Sequence, residues 1–105
     1  NNIYTRNLLD DLRFSLEVLV KAILKNSKSL ENQKAELGNF LKENGISVEI
    51  RNLYTDKILE FYTDYQNHNV KHNENYNEIE VDFIFEQTAV LMRLLIKLDN
   101  KKKTT

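Results

Sequence analysis

Both histidines of the chain, His68 and His72, fall in the stretch YQNHNVKHNENYN (65–77), together with five asparagines. Imidazole is the side chain whose ordinary titration range spans neutral pH, so such a stretch invites an acid–base or metal reading. Spaced four apart, the two rings would share a face if a preceding helix continued through them, and Asp64, Glu74 and Glu78 stand close enough in sequence to complete a site of two imidazoles and a carboxylate. The competing reading is a solvated turn. Asn side chains bond free backbone groups where helices end and begin, and two histidines in such a turn are ordinarily surface residues. Elsewhere the chain has no Gly-rich phosphate loop, no Ser or Cys nucleophile signature and no paired carboxylates that stand apart from exposed helix charges. No metal and no other cofactor is expected.

Four helical segments must position that stretch. In the first, from about Thr5 to Asn26, Leu8, Leu12, Leu16, Leu19 and Ile23 recur at helical spacing, and Leu9, Val20 and Leu24 widen their face. Phe14 and Val18 lie off it and suggest a second contact surface. The second, SLENQKAELGNFLKENG, has Ser29 as its N-cap, apolar positions at Leu30, Leu37, Phe40 and Leu41, and a stop at Asn44 and Gly45, where Ile46 can fold back on the last turn. Gly38 inside it costs about 1 kcal/mol of helix propensity relative to Ala.

The third begins after Ser47, an N-cap, with Glu49 in its first turn. Ile50, Tyr54, Ile58, Phe61, Tyr62 and Tyr65 then run down one face with Leu53 beside them. This aromatic stripe is read as core, because it lacks the interleaved cations of a base-stacking surface. The fourth opens on Asn77 and Glu80, a capping-box pattern. Val81, Ile84, Thr88, Leu91, Leu95 and Leu98 repeat at three and four, while Phe83, Phe85, Val90, Met92, Leu94 and Ile96 cover most of the other sides. An all-α fold, an antiparallel four-helix bundle, follows.

A helix apolar nearly all round requires cover on more than one side, either a central place in the bundle or a partner. A chain of this length has a limited interior, so a symmetric homodimer is expected, using Phe14, Val18, Val90 and Leu94.

The 105 residues fit one domain, assigned to 1–100, with 101–105 a basic tail expected to fray. The absence of Pro and the presence of only two Gly favour long helices. Fifteen Lys and Arg against sixteen Asp and Glu give no overall attraction to nucleic acid or membrane. No membrane span or leader is visible, and without Cys there is no disulfide framework or thiolate metal site, which suits the cytoplasm. The opening NNIYTRN lacks an initiator Met, so the chain is expected to be part of a longer protein.

The order helix, helix, aromatic-rich helix, polar loop containing VKHN, then long apolar helix resembles the HEPN superfamily of bacterial helical domains. It is most similar to the HEPN-like modules at the C-terminus of abortive-infection and other phage-defence proteins. HNVKHNENYNEIEVDFIFEQTAVLMRLLIKL carries most of the likeness. The resemblance implies that active members are metal-independent ribonucleases, in which an Arg and a His from each of two copies meet in one cleft, the guanidinium holding phosphate and the imidazole moving a proton. His72 looks like the family His. The positions that should supply the Arg are Tyr65, Gln66 and Asn67, and those before His68 are Phe61, Tyr62 and Thr63, so no Arg is present in either frame. Lys71 could contact phosphate, but only as a point charge without the planar fork of Arg. The expected function is therefore a non-catalytic dimerisation or regulatory module of a larger protein, with a partner domain of the same polypeptide. The alternative is a ribonuclease or RNA-binding domain in which His72 acts and Gln66, Asn67, His68 and Lys71 contact RNA across the dimer.

Overall fold

The computed structural model describes residues 2–64 and 77–103, and side chains within 7–64 and 77–101. Among them there is no strand. Helix α1 spans Asn2–Leu24, α2 Lys34–Glu43, and α4 Glu78–Lys103. The third helical run, called α3, starts as α-helix at Val48–Asn52, widens to a π-helical segment at Leu53–Ile58, and is α-helical again at 59–64. The basic run beyond residue 100 continues α4 as far as Lys103.

The helix ends explain the boundaries. Lys25 takes φ +56° and the Asn26 amide reaches back to the Lys21 carbonyl (3.2 Å), so α1 stops two residues before the expected Asn26. The left-handed turn that usually advertises itself through Gly is made here by Lys. At the end of α2 the signal is the usual one. Gly45 sits at φ +83°, its amide bonds the Lys42 carbonyl (3.1 Å), and the Ile46 amide bonds that of Leu41 (3.0 Å). Ile46 then packs on the core, as the fold-back reading required.

Ser29 does not cap an α-helix. Its Oγ accepts from the Asn32 side chain (2.9 Å), and Leu30–Asn32 form a 3₁₀ turn before α2 begins. The Glu17 carboxylate, reached from α1, accepts from the Leu30 amide at 2.9 Å. A long-range partner thus takes the role expected of Ser29, and the chain bends there so that Leu30 enters the core. The loop is held by an amide pair, with Asn26 Nδ2 donating to Gln33 Oε1 (3.0 Å) and Gln33 Nε2 to Asn26 Oδ1 (2.7 Å). Gln33 Nε2 also donates to the Lys28 carbonyl (3.0 Å), so this fully buried side chain is satisfied.

Ser47 and Asn77 behave as read. Ser47 Oγ accepts from the Ile50 amide (3.4 Å). Asn77 Oδ1 accepts from the Glu80 amide (2.9 Å) while Glu80 Oε1 accepts from that of Asn77 (3.4 Å), a reciprocal capping box. No neighbour demands glycine at 38, where an added Cβ would meet nothing within 4 Å.

Among the described residues the buried hydrophobic side chains form one cluster. From α4 it takes Val81, Ile84, Leu91, Leu95 and Leu98, with Thr88 buried among them, the stripe read from sequence. From α1 the innermost residues are Leu9, Leu16 and Val20, while Leu8, Leu12, Leu19 and Ile23, expected at the centre, pack along its edge. In α3 the π-helical turn keeps positions four apart in line, so Tyr54, Ile58 and Tyr62 go inward together with Thr55 and Leu59, while Ile50 and Leu53 are exposed. Thr55 satisfies its hydroxyl on the Arg51 carbonyl (2.9 Å).

Helices α3 and α4 are antiparallel, because Tyr54 borders a hollow with Leu94 whereas Tyr62, further along, meets Thr88. Ile23, Leu24 and Lys25 share another hollow with Asp99, which brings the C-terminal ends of α1 and α4 to one side of the molecule. The last helix is not central. It gives one side to the core and leaves Ile79, Phe83, Phe85, Val90 and Ile96 exposed.

Candidate functional site

The residues proposed for RNA contact and catalysis, Gln66, Asn67, His68, Lys71 and His72, lie outside the described residues. Their flanks are anchored firmly. The Tyr62 and Thr88 hydroxyls are 2.5 Å apart in the core, joining the end of α3 to the middle of α4. Burial pushes the Tyr62 phenol up to about 12, against the smaller opposing effect of that hydrogen bond. The Phe61 ring stands edge-on to Tyr62, with centroids 5.2 Å apart.

Charged clusters of the described surface serve structural ends. Arg13 pairs with Glu17 (3.5 Å) and Glu31 (2.7 Å), and Lys21 with Glu17 (3.2 Å). Burial works to raise the Glu17 carboxyl, but the Leu30 amide, Lys21 and Arg13 together outweigh it and hold the group below the ordinary carboxylate range. This network ties the 3₁₀ turn to α1. Lys34 reaches Asp56 at 3.0 Å and Glu60 at 3.9 Å, bridging α2 and α3, and the Asp56 contact raises the lysine's pKa. Among the described residues no group of three or more His, Asp or Glu is placed to hold a metal.

The apolar residues off the core stripes form the more informative surface. Phe14 is 64% exposed and Val18 49%, one turn apart on the side of α1 away from Leu9, Leu16 and Val20. On α4, Ile79 is 81% exposed, Phe83 58% and Val90 38%. Leu94, grouped with Val90 from sequence, is half-buried and packs on the core. Val90 and Leu94 nonetheless border one hollow of about 590 Å³, floored also by Ile46, Ile50 and Tyr54. Arg93 and Lys97 line it as well, and no acid does. Phe14 and Val18 do not line this hollow. Sequence reasoning missed Ile79 and the Ile46 to Tyr54 floor. The outward position of Ile79 was legible in its helical phase with Phe83 and Val90, whereas the floor depends on how the α2–α3 turn meets α4.

No protein-family model, curated protein or solved structure matches this chain. No helix among the described residues is long and apolar enough to cross a membrane.

Proposed function

We propose that this chain is a non-catalytic, HEPN-like helical module that forms a homodimer and serves a larger bacterial protein, one engaged in phage defence, as an assembly or regulatory domain. In this reading the helices make a four-helix bundle of the HEPN kind, with α1 and α4 pointing the same way, supported by the shared core and the antiparallel packing of α3 on α4. The observation that carries the proposal is the exposed apolar side of α4, with Ile79, Phe83 and Val90 open to solvent opposite a complete core stripe. Three such side chains on one helix side, beside an apolar hollow, form the kind of patch that soluble chains cover with a partner.

The missing Arg before His72 separates the module reading from the nuclease alternative. Light scattering at high micromolar concentration tests the dimer, and a monomer there overturns the proposal. Val90→Asp splits the dimer and leaves the helical circular dichroism signal intact. RNA cleavage that His72→Ala abolishes, with the fold preserved, overturns the non-catalytic assignment instead.

A further inference from the structure

The outward side of α4 is divided by charge as well as lined with apolar groups. At 100° per residue, positions 79, 82, 83, 86, 90, 93, 94 and 97 project away from Thr88 and Leu95, over a length of about 27 Å. In the first half, Ile79 and Phe83 are accompanied by Asp82 and Glu86, both exposed. In the second half, Val90 and Leu94 are accompanied by Arg93 and Lys97, also exposed. Among the described residues none of these four charges makes an ion pair within the chain. The strip is thus apolar throughout, acidic at its start and basic at its end.

Such a strip is complementary to itself when reversed. From this geometry we infer that the partner is a second copy of the chain, docked through α4 in antiparallel register with the twofold axis beside Val90. This rests on the dimer reading above and deepens it by naming the surface and the register. With the axis there, Glu86 lies opposite the second copy's Arg93, and Asp82 opposite its Lys97. Symmetry repeats both pairs on the other side. Phe83 falls next to Leu94 of the other copy and over the hollow floored by Ile46, Ile50 and Tyr54, an aromatic anchor entering an apolar pocket. A parallel pairing sets acid on acid and base on base, so the charges select direction as well as partner. A foreign acidic helix fits the basic half alone and leaves Asp82 and Glu86 facing its carboxylates.

The chain has no Cys, so introduced thiols report the register directly. Under oxidation V90C forms a disulfide-linked dimer, because two copies of position 90 meet at the axis, whereas I79C, far from the axis, does not. The double variants D82K/E86K and R93E/K97E each raise the dimer dissociation constant at least about tenfold, with the helical signal unchanged. Mixed in equal amounts, they form a heterodimer, since one strip is now wholly basic and the other wholly acidic. If wild type dimerises, the charge variants dimerise equally well and Phe14→Asp splits the dimer, then the dimer reading survives and the α4 register is wrong. Crosslinking of I79C as efficient as that of V90C also overturns the register. A wild-type monomer at high micromolar concentration removes both.

Discussion

The inner and outer sides of α4 both carry apolar residues at helical spacing, and these have opposite fates. Inside, Val81, Ile84, Leu91, Leu95 and Leu98 meet α1 and α3 and are almost wholly removed from water. Outside, Ile79, Phe83 and Val90 keep the same spacing and remain open. The difference lies in what accompanies the apolar residues. The inner stripe has a single polar member, Thr88, whose hydroxyl is matched to Tyr62, whereas the outer one is threaded with Asp82, Glu86, Arg93 and Lys97. A charge can stand on a surface that alternates between water and a partner. In a permanent core it must be paired or neutralised. Apolar periodicity alone therefore does not separate the buried side of a helix from the exposed one, whereas the accompanying charge does.

The comparison breaks most readily at Leu91. Leu91→Ala removes a fully buried side chain and should cost about 2–5 kcal/mol in denaturant unfolding; a loss under about 1 kcal/mol would mean the inner side is less tightly packed than described. Next in size is the polar point of that side. Tyr62→Phe leaves the buried Thr88 hydroxyl without its partner, at about 1–3 kcal/mol.

The same residue gives a pH test. Because the folded-state pKa of Tyr62 is raised to about 12 from the ordinary 10, the folded chain keeps a proton that the unfolded chain releases. Its contribution is complete below pH 10 and is lost as pH climbs from 10 toward 12. A urea midpoint followed across that window should fall more steeply in wild type than in Tyr62→Phe; parallel curves would show that the phenol is not buried.

Asn77→Ala acts on the start that both sides of α4 share. It should lower stability by about 1 kcal/mol through loss of the capping box, read as an earlier thermal midpoint. The smallest effect on the isolated chain belongs to the outer side. Phe83→Ala should shift unfolding by no more than about 0.5 kcal/mol when measured at a dilution where the chain is monomeric, while weakening self-association at high concentration. A core-sized loss under dilute conditions would place Phe83 with the inner stripe.

The helix signals differed in how much could be read from them, according to how far away their partners lie. Ser47, Gly45 and the Asn77 with Glu80 pair could be read because their hydrogen bonds close within a few residues, and backbone geometry alone decides them. Ser29 resembled them in sequence, but the Leu30 amide found Glu17, thirteen residues earlier in the chain. The candidate site divided in the same way. The outward apolar residues Phe14, Val18 and Val90 could be identified from helical phase, and they are exposed. The placement of Leu94 could not, because its half-buried state depends on the turn at Ile46 and the first residues of α3 packing beside it.

By itself, then, the sequence determined an all-helical chain, the core stripe of α4 and the local caps and stops, since each rests on residues within one or two turns of one another. Only the tertiary structure decided which part of the broad leucine face of α1 is innermost. It also decided that α3 widens into a π-helical turn to bring Thr55 and Leu59 inside, and that a glutamine is buried to fasten the loop before α2. Those outcomes depend on steric fit and hydrogen bonding between segments far apart in the chain, and the spacing of residues along one segment carries no record of its neighbour's shape.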